Sequence, residues 1–222
     1  MSAHPVTWRV ARSRGELSST GTLCRPARDG GVSFLRVRVL ALADEPPPAD
    51  VDRLICENEP DVLVTLGDLQ PQWLGPAPAA GLPRIGVHGN HDGPDALAAL
   101  GIRDLHLRLV ELGGWTFAGF EGSVRHGRGG AHQYSQEQAT RLVERLPAAD
   151  VLICHCPPRG INDEPGDRAH VGFDALRNWV ERHQPLYLLH GHTTPDPRRR
   201  VGRLGRTRVV WVRGARNLVL ER

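Results

Sequence analysis

The chain has 222 residues, 40 % of them apolar, with 28 basic and 25 acidic side chains and a formal net charge of +3. That length and apolar content are enough for one sizeable core and exclude a disordered or fibrous chain. No apolar run approaches the roughly 20 residues a membrane-crossing helix needs.

All the basic residues are Arg, with no Lys, which reads as composition bias. The 25 Gly and 18 Pro imply many loops, where sites tend to lie. Residues 1–31 lack periodicity and a signal-peptide core, and are expected to form a mobile or loosely packed N-terminal extension before a domain over 32–222. Cys24, Cys56, Cys154 and Cys156 have no disulfide-framework spacing, so free thiols and a cytoplasmic location are expected.

In chain order, "VSFLRVRVLALA" (32–43) alternates and then turns solidly apolar, as a strand entering a sheet centre does. "ADVDRLICENE" (49–59) is a short helix with Asp50 near its start. "DVLVTLGD" (61–68) is a strand ending in Gly-Asp, residues 71–83 are loop by composition, and "RIGVHGN" (84–90) is a strand ending at Gly. "PDALAALG" (94–101) has Pro in its first turn and Gly after its end, as a helix does. "LHLRLVEL" and "WTFAGF", joined by Gly113-Gly114, form a hairpin. Residues 135–147 are a helix with Ser135 and Gln138 in capping-box spacing. "DVLICHCPP" (150–158) is a strand, 173–184 a helix, 185–194 a strand, and "TRVVWVR" and "NLVLE" are strands on either side of Gly214.

Five strands in this reading run into polar groups: Asp44, Gly67-Asp68, Gly89-Asn90-His91, His155 and Gly191-His192. In open α/β sheets a ligand site lies beyond the carboxyl ends of the strands, so these groups can meet although far apart in sequence. Carboxylate, amide oxygen and imidazole together are metal-ligand chemistry, and the glycines permit sharp turns where ligands must be aimed. Cys154 and Cys156 alternate with His155 along a strand and point into the core. His106, His126, His132 and His183 carry no motif and read as surface or core. "RRRVGRLGRTR" (198–208) has no interleaved aromatics for stacking bases and reads as a solvated hairpin, so nucleic acid is disfavoured as a partner.

At "GDLQ" (67–70), "GNHD" (89–92), "ICHCPP" (153–158) and "GHTT" (191–194) the chain resembles the calcineurin-like metallophosphoesterases, over about residues 33–220. The resemblance implies an α/β fold, a four-layer αββα sandwich of two mixed β-sheets flanked by helices, with a two-metal centre at one edge. It implies that Asp44 and Asp68 are metal ligands, Asp68 bridging, and that Asn90, His155 and His192 complete the second metal site. His91 would face the substrate and either stabilise the phosphoryl oxygens or protonate the leaving alkoxide, Asp92 would orient His91, and a metal-bound hydroxide would attack phosphorus. The loop "PPRGINDEPGDRAHVGF" resembles one that many bacterial members carry, with Arg159, Asn162 and His170 as substrate-contact candidates beside Asn90.

Two positions depart from the family pattern. Its Asp-x-His is here Asp44-Glu45-Pro46, and Thr194 replaces the last His of its Gly-His-x-His. Both lost imidazoles belong to the first metal site, so one tight site for Mn, Fe or Zn is expected, with the other in doubt. Glu45, His88, His170 and Asp196 are candidate substitute ligands. The function expected is hydrolysis of a small nucleotide-like phosphomonoester or phosphodiester. The alternative is a catalytically weakened nucleotide- or phosphate-binding regulatory protein. Oligomeric state is not encoded in these motifs.

Overall fold

The computed structural model describes residues 36–74, 81–127 and 130–222. The expected extension over 1–31 and the start of the first expected strand, 32–35, lie outside them.

In β1 (Arg36–Ala43), Val37, Val39, Ala41 and Ala43 face one side and Leu40 and Leu42 the other, all buried. Asp50 caps α1 (Val51–Asn58) by accepting the Asp52 N–H at 2.9 Å, and Glu59 ends it in left-handed conformation. Then come β2 (Val62–Thr65), α2 (Pro71–Leu74), β3 (Arg84–Gly86), α3 (Ala96–Ala99), β4 (Arg103–Asp104), β5 (Leu109–Leu112) and β6 (Trp115–Phe120). They are followed by β7 (Ser123–Val124), β8 (Gln133–Tyr134), α4 (Gln136–Val143) and β9 (Val151–Cys154). The capping box at α4 is formed in both directions, Gln138 N–H to Ser135 Oγ and Ser135 N–H to Gln138 Oε1. The chain closes with α5 (Asp174–His183), β10 (Tyr187–His190), β11 (Arg203–Leu204), β12 (Thr207–Trp211) and β13 (Gly214–Glu221).

Three expectations are corrected. Residues 71–74, read as loop, form one helical turn that buries Leu74. The run 105–112 is not one strand: Leu107 turns left-handed, and only Leu109–Leu112 forms a strand, β5, which pairs with β6. Cys154 and Cys156 are free and buried, but Cys56 is disulfide-bonded. Spacing along the chain says nothing about which thiols a fold brings together.

One sheet has the order β13-β1-β2-β3-β4 and the other β11-β12-β10-β9-β6-β5. Both are mixed: the first is parallel from β1 to β4 with β13 antiparallel at its edge, and the second is parallel from β12 to β6 with antiparallel edge strands β11 and β5. β12 and β13 fall in different sheets, so residues 212–213 carry the chain from one to the other. Alternation on the central strands gives three apolar layers. Val39, Val64, Ile85, Trp115, Phe117, Ile153 and Leu189 fill the space between the sheets. Leu40, Leu42 and Leu63 pack under α1, α2 and α3, and Leu152, Cys154 and Leu188 under α4 and α5. This is the expected αββα sandwich. Among the described residues no helix is long and apolar enough to cross a membrane.

A second polar cluster fixes the far end of β3. The carboxylate of Glu121, just after β6, is buried. It accepts from His88 Nδ1 at 3.0 Å and lies 3.1 Å from His132 Nδ1, and Tyr134 Oη–H donates to its other oxygen. The Glu121 N–H donates to His106 Nδ1 at 3.1 Å, and the His88 and His132 rings stack at 4.3 Å. Burial opposes the charge on Glu121, but the His132 and His88 bonds, the His106 charge and the Tyr134 bond outweigh it and hold the carboxyl well below its ordinary range.

A carboxyl whose folded pKa is depressed stabilises the fold above its unfolded pKa and loses that contribution as pH falls toward the folded value. Stability should therefore decline below pH 4.5, the ordinary Glu value, partly through this group. Glu121→Ala, which leaves the imidazoles buried without their acceptor, is expected to cost about 3–5 kcal/mol in urea unfolding at pH 7. Glu121→Gln should flatten the acid limb of stability against pH.

The β2 and β3 turns touch backbone to backbone. Gly67 has φ +93°, and a Cβ there would lie within 2.8 Å of three backbone atoms of His88 and Gly89. A Cβ on Gly89 would overlap the Asp68 carboxylate. Gly89→Ala is expected to cost about 1–3 kcal/mol by overpacking, read from the urea midpoint.

Candidate metal centre

The parallel strands β1, β2 and β3 end at one edge of the first sheet, where they deliver Asp44, Asp68 and Asn90. β9 and β10 end at the same edge of the second sheet and deliver His155 and His192. Asp44 (φ 61°), Asp68 (φ 54°) and His192 (φ 67°) are all left-handed without being glycine. Such backbone costs of order 1 kcal/mol or more per residue and persists only where its surroundings over-determine it.

Those surroundings are a set of cross-loop hydrogen bonds. Asp92 Oδ2 accepts the Gly89 N–H at 2.7 Å and the Asp68 N–H at 3.0 Å. Asp68 Oδ1 accepts the His91 N–H at 2.8 Å, and Asp44 Oδ2 accepts the His192 N–H at 2.9 Å. The bonds of Asp92 thus fix the backbone of two ligand-bearing loops, not the His91 imidazole as the family pattern implies. His91 itself is exposed at the rim.

His155 is the centre of the arrangement and is fully buried. Its Nδ1–H donates to the Leu66 carbonyl at 2.7 Å, which turns Nε2 toward Asn90 Oδ1, 3.0 Å away, and Asp68 Oδ2, 3.4 Å away. His192 Nε2–H donates to the Ala169 carbonyl at 2.7 Å, leaving Nδ1 as its free donor. Its ring lies 4.7 Å from that of His155. Lone pairs on two imidazoles, a carboxylate and an amide oxygen therefore converge on one point. Burial works against a charge on His155, yet Asp68, Asp44 and the Leu66 carbonyl push its pKa up to about 9. Burial opposes the Asp68 charge in the same way, but the His155 hydrogen bond and charge hold it at about 2. Burial and the neighbouring His155 push His192 down to about 3, so it is a neutral lone-pair donor. The oxygens demand a cation at this point, and a borderline divalent ion fits a donor set of two nitrogens and two oxygens.

Among the described residues three groups bring ligand atoms within 4.8 Å of one another: Asp68 with His155 and His192, His88 with Glu121 and His132, and Glu164 with Asp167 and His170. In the second, the rings are parallel to within 2°, so their lone pairs do not converge on a point. The third is an exposed loop closed by its own bonds, His170 Nδ1 to Asp167 Oδ2 at 2.6 Å among them. Of the three, the first combines burial with convergence.

The first metal position of the family pattern does not fit. It keeps Asp44 and Asp68, and among the described residues no imidazole replaces the missing two. Burial pushes Asp44 up to about 6, and Asp68 adds to this, against the lowering effects of His155, the His192 N–H and Arg213. The substitute candidates are engaged elsewhere. Glu45 Oε1 pairs with Arg213 Nη2 at 2.6 Å, His88 with Glu121, Asp196 with the Arg198 N–H, and His170 with Asp167.

Of the substrate-contact candidates, His170 comes to the site, its ring 5.2 Å from that of His192. Arg159 is half-buried and accepts through its carbonyl from Arg177 Nη1. Asn162 faces away from the open edge: it is buried, its Nδ2 donates to His190 Nε2 at 2.9 Å and its Oδ1 accepts from the Val201 N–H at 2.6 Å. It pins the 159–173 loop. Sequence reading missed Glu121, His190, Arg213 and the carbonyls of Leu66 and Ala169. Only Glu121, an acid at the end of an apolar strand, carried any local signal.

No curated protein sequence matches the chain. Among solved structures, one is similar at 21 % identity and TM-score 0.56, over 79 % of this chain and 90 % of that one. Another, the TT1561 protein of Thermus thermophilus, is similar at 18 % identity and TM-score 0.55, over 79 % and 88 %. These likenesses are of fold. The sequence pattern described as "Calcineurin-like phosphoesterase" matches residues 48–196, well over half the chain, and spans every ligand named above except Asp44. The chain belongs to the calcineurin-like phosphoesterase family.

Proposed function

We propose that this chain hydrolyses a small phosphate ester, a nucleotide-like phosphomonoester or phosphodiester, with one divalent ion held by Asp68, Asn90, His155 and His192. The observation that carries this is the buried convergence of lone pairs around His155 Nε2, which only a proton or a cation can satisfy. When bound, a Mn, Fe or Zn ion supplies Lewis-acid polarisation of the phosphoryl group and acidifies the attacking water.

The chain's own residues do the rest. The Asp92 bonds and the Leu66 carbonyl hold the donor loops and set the His155 tautomer, so little is left to reorganise when substrate arrives. Water adds to phosphorus opposite the leaving oxygen and releases a proton to solvent, and a ring N–H of His91, at the exposed rim, gives its proton to the leaving alkoxide as the P–O bond breaks and regains one from solvent. His170, beside His192, forms the wall of the site toward the 159–173 loop. A small substrate is favoured over nucleic acid because three arginines of the 198–208 run are engaged by the protein itself. Arg200 lies over Trp211, Arg206 bonds the Gln184 carbonyl, and Arg208 lies over Tyr187.

Elemental analysis of protein purified without chelator, with p-nitrophenyl phosphate and bis-p-nitrophenyl phosphate hydrolysis in added Mn, tests this reading. Metal-dependent turnover is expected, lost with chelator and restored by Mn. His192→Ala is expected to lower metal content and reduce turnover at least about 100-fold, the scale of removing one essential electrostatic group. Metal-free protein without turnover in added Mn would leave phosphate binding as the function.

A further inference from the structure

The two departures from the family pattern, Pro46 and Thr194, lie close to one side chain, which bonds Thr194 itself and Glu45, the residue before Pro46. Arg213 lies between β12 and β13, where the chain passes from one sheet to the other. Next to it, Gly214 pairs with Ala43 at the end of β1, and the Val212 N–H donates to the His190 carbonyl at the end of β10. Arg213 is therefore wedged between the strand that delivers Asp44 and the strand that delivers His192. Its Nη1 donates to Thr194 Oγ1, the side chain that replaces the last imidazole. Its Nη2 pairs at 2.6 Å with Glu45, the residue between Asp44 and Pro46. The charge of Arg213 acts on Asp44. The Arg213 side chain is still 35 % exposed, and its five N–H donors are not exhausted by two partners.

We infer that the Arg213 guanidinium stands in for the first metal ion: it is a fixed cation that compensates Asp44 and binds a phosphoryl oxygen of the ligand. This rests on the metal-centre reading above and deepens it, and it accounts for both missing imidazoles together. A guanidinium needs oxygen acceptors around it, not ring nitrogens, and Thr194 and Glu45 supply them. Loss of His at 46 and 194 removes two donors that would compete with Arg213 for the space. Planar, permanently charged and forked, a guanidinium matches two oxygens of a phosphate, as a Lys ammonium does not.

The test is binding of inorganic phosphate to the Mn-loaded full chain by calorimetry, with metal content measured on the same samples. One metal per chain is expected in the wild type. Arg213→Gln keeps a polar side chain beside Thr194 and Glu45 but removes the charge. It is expected to retain the metal and weaken phosphate binding about 10- to 100-fold, the range for hydrogen bonds to a charged group. Arg213→Lys, which returns charge without the fork, should recover part of the loss and controls for folding.

Two metals per chain in the wild type, phosphate affinity unchanged in Arg213→Gln, or loss of the metal in that variant each overturn the inference. Phosphate binding that depends on Arg213 in a protein without turnover would uphold it while removing the hydrolase reading. Turnover and phosphate affinity indifferent to Arg213 would do the reverse.

Discussion

The structure is organised around one buried imidazole whose surroundings call for positive charge. His155 sits at 0 % exposure with a carbonyl oxygen on one nitrogen and two side-chain oxygens on the other. Burial of polar atoms in this way is costly unless a partner of the right sign is supplied. Every loop that reaches His155 is arranged to aim an oxygen or a nitrogen at that same point. The αββα sandwich serves this purpose because its two sheets are each parallel at the centre and end at a common edge. Asp44, Asp68 and Asn90 come from one sheet and His155 and His192 from the other, so the centre exists only when the sheets are packed.

The packing of the sheets alone would not hold the donors. Three of the ligand residues carry left-handed backbone that only glycine adopts without strain, and the cross-loop bonds of Asp92, Asp68 and Asp44 to backbone N–H groups hold them there. Gly67 and Gly89 make this possible by letting two turns touch, since a Cβ on either would separate them. The Glu121 cluster continues the same construction outward. It anchors His88, two residues before Asn90, through a carboxylate that His132 and Tyr134 also contact, while His106 accepts from the Glu121 N–H. Carboxylates here serve mainly as backbone clamps, and rigidity is what keeps a metal-binding set from collapsing onto its own protons.

The asymmetry of the centre follows from the same geometry. The second-metal position keeps a complete donor set, while the first has exchanged imidazoles for a proline and a threonine. Positive charge is nevertheless supplied there. Arg213 reaches the place from the crossing between sheets, bonded to Thr194 and Glu45, and acts on Asp44. A family pattern built on two ions can thus be read in this chain as one ion position and one guanidinium.

Local pattern was enough to define the layers and the candidate ligands. The alternation of β1 that turns solidly apolar and the apolar runs on β2, β9 and β10 separate strands buried on both faces from helices with one apolar face, and Asp, Gly or His after each strand end marks the candidate functional edge. Asp68, Asn90, His155 and His192 were legible because each lies beside its own strand end, where local pattern and chemistry coincide. The break in residues 105–112, of which only Leu109–Leu112 is strand, was not legible, because the apolar alternation runs on unbroken through the left-handed turn at Leu107. The target of Asp92, the inward turn of Asn162, the gathering of three histidines on Glu121 and the placement of Arg213 emerged only on folding. In each case the partner is distant in sequence, and a side chain's role is set by which lone pairs and charges surround it in the folded chain, a quantity that no local pattern of residues contains.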